Sequence, residues 1–135
     1  MFNILVYLIA IQKTAKGIHY FCHGDSFFSD HLLADRIQED IDDFVDEIQE
    51  NYYLGKEEDA PQQAQLLASA GAIVPEVTED MESSFKALDK LLLSCINEIE
   101  TVSKLEATTV GDADLLGRIC SDIQKKHGFI WRRLK

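Results

Sequence analysis

About 25 residues separate Gly55 from Glu79, and they hold both of the chain's prolines, Pro61 and Pro75. On each side of this connection lie two stretches with an apolar residue every three or four positions, the period of an amphipathic helix. Antiparallel helices need only a few residues to join them, so a connection this long predicts a crossover that leaves the second and third helices parallel. An up, down, long crossover, down order of this kind is that of the ferritin-like four-helix bundles, all-α in class. The middle of the crossover, Ala60 to Ala70, is rich in Gln, Ala and Leu and has room for a short extra helix.

The first helix is expected from about residue 2 to Cys22, ending near His23 and Gly24. Its opening, Met1 to Ile11, is apolar, yet no basic residue precedes the apolar run and no small-residue cleavage site follows it. At roughly eleven residues it is shorter than the ~20 that span a bilayer, so it reads as the buried face of a helix and no membrane association is expected. In the second helix Phe28, Leu32, Ile37, Ile41, Phe44, Ile48 and Tyr52 mark one face and acids fill the other, with Asp25 and Ser26 as candidate caps and Gly55 as the stop. The third begins after the candidate cap Thr78 and carries the stripe Phe85, Leu88, Leu92, Ile96, Ile99 and Val102. The fourth follows Asp112, with Leu116, Ile119, Ile123, Ile130 and Leu134 as its seam and Lys125, Lys126, Arg132 and Arg133 near its negative end. A length of 135 residues suits one domain, residues 1–135, and is too short for two ordinary ones.

Charge narrows the partners. The net charge is −11, and from Asp35 to Asp59 eleven acids face two bases, Arg36 and Lys56. Such a surface repels nucleic acid phosphates and attracts cations. The three cysteines, Cys22, Cys95 and Cys120, are odd in number, lack metal-site spacing and sit within apolar patterns, which points to a reducing, cytoplasmic compartment.

Five residues carry the candidate chemistry: His19, His31, Asp35, Asp46 and Glu50. His31 to Asp35 and Asp46 to Glu50 are steps of four, so each pair leaves one stripe of a helix together. Imidazole with carboxylate suits Fe(II), Mn(II) or Zn(II) better than softer ions. The usual di-iron centre inside a ferritin-like bundle needs Glu-x-x-His on two helices, and this chain has no Glu-x-x-His. A centre of that type is therefore excluded.

The run His19-Tyr-Phe-Cys-His-Gly-Asp-Ser-Phe-Phe-Ser-Asp-His31-Leu-Leu-Ala-Asp35, followed by Asp46-Glu-Ile-Gln-Glu50, resembles the mini-ferritin or Dps family, the DNA-binding proteins from starved cells. In that family a His is followed by an aromatic, then Gly, Phe and a second His at the offsets that His19, Tyr20, Gly24, Phe27 and His31 show here, with an Asp four residues on and an Asp-x-x-x-Glu pair beyond. Asp112-Ala-Asp-Leu-Leu and, later, His127-Gly-Phe-Ile-Trp-Arg-Arg-Leu also resemble the family's last helix. The resemblance implies a hollow homo-oligomer, a dodecamer built from two-fold dimers, that oxidises Fe(II) with hydrogen peroxide and stores ferric mineral. It implies an iron site, with a di-iron centre and Zn2+ or Mn2+ as substitutes left open, shared between subunits: His19, His31 and Asp35 from one protomer, Asp46 and Glu50 from its two-fold partner. Three departures stand out. Tyr20 replaces the family's usual Trp, Leu54-Gly55 comes about one residue early, and the chain begins within the first helix, without the family's lysine-rich tail. DNA compaction is therefore not expected to carry over.

Plainer readings exist for several of these residues. Either pair of four-spaced ligands alone is the solvated face of an acidic helix, and Asp40, Asp42 and Asp43 suit a solvated surface or cavity lining as well as they suit attraction of iron. His23 and Cys22 fit a turn His and a buried Cys better than auxiliary ligands. Asp112 and Asp114 stand where acids line a three-fold pore in similar proteins, though capping explains Asp112 equally. Trp131 occupies a seam position, and bases at the end of a helix are expected without any nucleic acid. The alternative to an iron oxidase is a non-catalytic ferritin-like shell or partner-binding protein whose interface metal is structural. Nothing points to nucleophilic catalysis: there is no Gly-x-Ser-x-Gly and no phosphate-cradling Gly-rich loop, and the cysteines lack an obvious His partner in a loop.

Overall fold

The computed structural model describes residues 1–135, all helix and connection with no strand. The helices are α1 (Phe2–Phe21), α2 (Phe27–Gln38), α3 (Ile41–Glu47), α4 (Gln63–Gly71), α5 (Met81–Ser103) and α6 (Val110–Leu134). A π-helical segment, Ile48–Tyr53, continues α3, and a 3-10 turn, Leu54–Lys56, ends it.

Contacts along the helices fix their directions. His19 near the end of α1 stacks on His31 near the start of α2, and Gln12 in α1 donates to Asp42 in α3 at 2.8 Å, so α1 is antiparallel to both. Gly17, late in α1, lies against Val77 just before α5, while Glu98 near the end of α5 acts on the Met1 amine at the start of α1. α1 is thus antiparallel to α5 as well, and α2 and α5 run parallel, as the crossover requires. The short helix α4 lies within the crossover and packs on α1 through Leu66 and Ala70. A Cβ on Gly17 would come within 2.9 Å of a Val77 methyl, so glycine here, although unfavourable inside a helix, lets the crossover lie close against α1.

The apolar stripes meet in one cluster of 30 buried residues. Phe85, Leu88, Leu92, Ile96, Ile99 and Val102 of α5 are buried as their spacing predicts, and so are Leu116, Ile119, Ile123 and Ile130 of α6; Leu134 is half-buried. No helix is long and apolar enough to cross a membrane.

The second helix departs from expectation in two ways. It is not continuous: α2 stops after Gln38 and α3 starts at Ile41, with Asp40 at φ 67° between them. Ile37, Ile41 and Ile48 are buried as their spacing predicts, but at the start of the helix the buried stripe is rotated. Asp30, Ala34, Ile37 and Ile41 face the core, whereas Phe28 and Leu32 are 75% and 63% exposed. Two residues along a helix is a turn of ~200°, so packing on Asp30 and Ala34 sends Phe28 and Leu32 to the opposite side. A rule that buries the largest apolar residues misses this, because the core-facing set includes an aspartate.

The caps shift too. Asp80, not Thr78, caps α5 by accepting from the Ser83 amide at 3.2 Å. Ser26 caps nothing and instead donates its hydroxyl to Asp30 at 3.0 Å. α6 starts two residues before Asp112, on a reciprocal box in which Thr109 accepts from the Asp112 amide and Asp112 from the Thr109 amide, both at 3.1 Å. Asp112 is buried and pairs with Lys56, so capping and pairing account for it within the protomer. Trp131, assigned to the seam, is 49% exposed.

Burial raises the Asp112 pKa, but the hydrogen bonds from Lys56 and Thr109 outweigh it and hold the carboxyl below its ordinary value. A depressed folded pKa contributes stability that is complete above the unfolded value, near 3.9, and lost as pH falls through the folded one. Asp112→Asn should therefore cost about 1.5–3 kcal/mol at neutral pH. Urea midpoints of the two proteins should begin to draw together as pH falls below about 4 and meet once Asp112 is protonated in the folded protein.

Candidate metal centre

The end of α1 and the start of α2 bring two of the five candidate ligands into contact. The His19 and His31 rings stack with centroids 3.6 Å apart and planes 24° from parallel. Each ring is held by the other residue's backbone: His31 Nδ1 donates to the His19 carbonyl at 2.9 Å, and His19 Nδ1 to the His31 carbonyl at 3.2 Å. A carbonyl only accepts, so both Nδ1 atoms carry hydrogen, and in the neutral rings both Nε2 atoms keep free lone pairs. A backbone carbonyl on the far nitrogen is the usual way a metal-binding histidine is oriented. The donor set thus fits a divalent ion of the Fe(II), Mn(II) or Zn(II) type.

Asp35 lies one turn beyond His31 on the exposed side of α2 and accepts from Gln38 at 2.7 Å. Asp46 in α3 and Glu50 in the π-helical segment are also exposed. Within one protomer no group of three or more His, Cys, Asp or Glu side chains comes close enough to hold an ion. The structure therefore joins His19 to His31 and leaves Asp46 and Glu50 as a separate carboxylate pair further along the same helical stretch.

The surface around the histidines is apolar. Tyr20 (72% exposed), Phe28 and Leu32 flank them in sequence, and the Phe27 ring stacks on His31 with centroids 4.9 Å apart. Next to Asp35, a cleft of about 290 Å³ is lined by Glu39, Asp40, Asp42 and Asp43 with Gln12 and Gln38, an open and wholly polar hollow. These acids are exposed.

Two supporting residues escaped sequence reasoning. Asp30, adjacent to His31, is fully buried and takes both Arg133 Nε at 2.8 Å and Nη2 at 3.2 Å, which ties the end of α6 to the start of α2. Only an acid among apolar neighbours hinted at this, and nothing local named Arg133 as its partner. Lys126, on α6, is 2% exposed and bonds to the Glu39 carbonyl, although in sequence it is one more base near a helix end. No thiol is among the candidate ligands: Cys22 is buried and donates to the His19 carbonyl at 3.6 Å, and burial together with Cys120 and Glu98 pushes the Cys95 thiol up to about 12, leaving no thiolate there at neutral pH. His23 is exposed and lies 3.7 Å from Glu79.

No protein-family profile matches the chain, and no curated protein matches it in sequence. Solved structures do. Dps from Thermosynechococcus elongatus superposes with a TM-score of 0.86 over 98% of this chain and 85% of that one, at 20% identity. The chain has the Dps fold. Mycobacterium smegmatis Dps in its tetragonal form gives a TM-score of 0.79 at 19% identity, covering 99% of this chain and 85% of that one. A C-terminal deletion mutant of the same M. smegmatis protein gives 0.82 at 20% identity, over 99% and 93%. The Dps fold thus extends over almost the whole chain.

Proposed function

We propose that the chain is an iron-handling mini-ferritin protomer whose metal site is completed by a second copy. The observation that carries this reading is the split ligand set. Two histidines are oriented with their Nε2 atoms free, an aspartate stands one turn on, and a carboxylate pair lies apart from them on the same helical stretch. A two-fold partner running antiparallel along this face would bring its Asp46 and Glu50 to His19, His31 and Asp35, and would cover Phe28 and Leu32. Three carboxylates gathered at such an interface repel one another unless a cation lies among them.

Fe(II) is the substrate in this reading, oxidised by hydrogen peroxide and stored as ferric mineral inside a closed shell of two-fold dimers, a dodecamer. Mixed imidazole and carboxylate ligands hold Fe(II) while leaving a position for the oxidant, and they stabilise the Fe(III) product through added negative charge. His19 and His31 supply neutral nitrogen donors, Asp35 a first carboxylate, and the partner's Asp46 and Glu50 the remaining charge.

Peroxide-driven Fe(II) oxidation, followed by absorbance of the ferric product, tests this directly. The Asp46→Ala, Glu50→Ala double variant should lose about 100-fold or more in rate at unchanged helicity. Equal rates would remove the proposal. The split ligand set also favours a second reading, in which the ion only ties subunits together. There, chelation would dissolve the oligomer while the intact protein oxidised iron no faster than buffer.

A further inference from the structure

The two halves of the proposed site lie on one helical stretch of each protomer, with ten residues between Asp35 and Asp46. In an unbroken α-helix a step of eleven residues completes three turns with ~20° to spare, which would put both aspartates on one stripe. This chain does not follow that path. The helix breaks at Glu39–Asp40, and Asp40 takes a left-handed φ of 67° that costs a non-glycine residue about 1–2 kcal/mol. Nothing local calls for the break, since residues 27–54 include neither Gly nor Pro.

The donor at the break comes from α6. No backbone N–H reaches the Glu39 carbonyl; the donor it receives is the Lys126 ammonium. Lys126 is the one lysine among the buried residues. Its ammonium also lies 2.6 Å from Asp122 on its own helix and 5.9 Å from the centroid of the Phe44 ring in α3. One cation thereby holds the last carbonyl at the end of α2, the first turn of α3 and α6 together. A charge at the negative end of α2 is well placed to stabilise that helix end. A lone buried ammonium is costly, and satisfying an otherwise orphaned carbonyl together with a carboxylate is what makes it tolerable.

We infer that Lys126 is a positioning residue for the interface metal site: by pinning the break at Glu39–Asp40 it sets the rotation between the His31–Asp35 half and the Asp46–Glu50 half. This inference rests on the proposed interface site. In a two-fold pair each half must meet the opposite half of the partner, and one rotation has to serve both sites at once. Losing the break would turn the carboxylate pair about the helix axis, by ~100° for each residue of register.

Cobalt(II) titration of the assembled full-length protein tests this, read by the visible d–d bands and by the dissociation constant. Lys126→Met matches the length and removes the charge. It should keep its helicity and assembly, bind Co(II) about tenfold or more weakly, and show an altered d–d envelope. Lys126→Arg, which keeps a cationic donor, should recover most of that affinity. If Lys126→Met only lowers the melting temperature, with the Co(II) affinity and spectrum of the wild type, the inference is overturned.

A second pair of variants keeps the test decisive should Lys126→Met not fold. Asp40→Gly is at ease at positive φ and should bind as the wild type does, whereas Asp40→Ala favours a continuous helix and should bind more weakly. Equal affinity in these two also overturns the inference. Failure of the site itself looks different. The wild type would then bind no Co(II), or the Asp46→Ala, Glu50→Ala variant would bind it undiminished, and both the proposed function and the role of Lys126 would fall.

Discussion

Two inactive variants, mixed, should regain activity. The first carries His31→Ala and Asp35→Ala, the second Asp46→Ala and Glu50→Ala, and each alone lacks half of every proposed site. In a two-fold dimer that pairs one of each, one of the two sites combines both damaged halves and the other combines both intact halves. Random pairing at equal amounts makes about half of the dimers mixed, so about a quarter of the wild-type sites should return. From a background reduced about 100-fold, that is a recovery of more than tenfold. Fe(II) oxidation by peroxide after dissociation and joint reassembly measures it. No recovery, with mixed dimers shown to have formed, would place the chemistry within single protomers or nowhere. Within a single protomer, the separation of the carboxylate pair from the histidines leaves no such site.

The largest effect on stability is expected at Asp30. Its carboxylate is fully buried and takes both Arg133 nitrogens and the Ser26 hydroxyl. Arg133 also lies over the Phe85 ring, 5.5 Å from its centroid. Removing one partner of such a pair leaves the other uncompensated, and Arg133→Met should cost about 3–5 kcal/mol because it strands a buried carboxylate. Asp30→Ala should cost less, since the half-buried Arg133 can turn toward water. Against a typical total of about 5–15 kcal/mol, either loss is large. Urea unfolding at fixed protein concentration measures both, and Arg133→Met within 1 kcal/mol of the wild type, on the scale of an exposed pair, would contradict the argument. Because Asp30 precedes His31, the same substitutions should loosen the carbonyl that orients His19.

Much of this architecture was legible in residue order. The period of apolar residues gave four helical stretches, and the length of the crossover gave their directions, because chain reach and helical geometry act locally and leave few alternatives. The stripes of α5 and α6 were read nearly residue for residue, since there large apolar side chains and core positions coincide. The start of α2 departs from its apolar pattern for the opposite reason: it buries a charge and a small residue and exposes Phe28 and Leu32. Burial there follows from Arg133, 103 residues away, and from the neighbouring surface, and neither leaves a local mark.

The candidate ligands show the same division. Their types and spacings are properties of the chain, and they set which ions the side chains can take. Which nitrogens are free is a tertiary matter, decided when the ends of α1 and α2 exchange ring and carbonyl contacts across twelve residues. So is the break at Asp40. A stretch without glycine or proline favours an unbroken helix, and it yields here because a lysine 87 residues away from Glu39 supplies the donor that the carbonyl lacks. Sequence determined the helices, their order and the chemistry they carry, since these depend on neighbours along the chain. Their rotations and the interruption were decided by the folded structure, because buried charges must find partners and those partners come from distant helices.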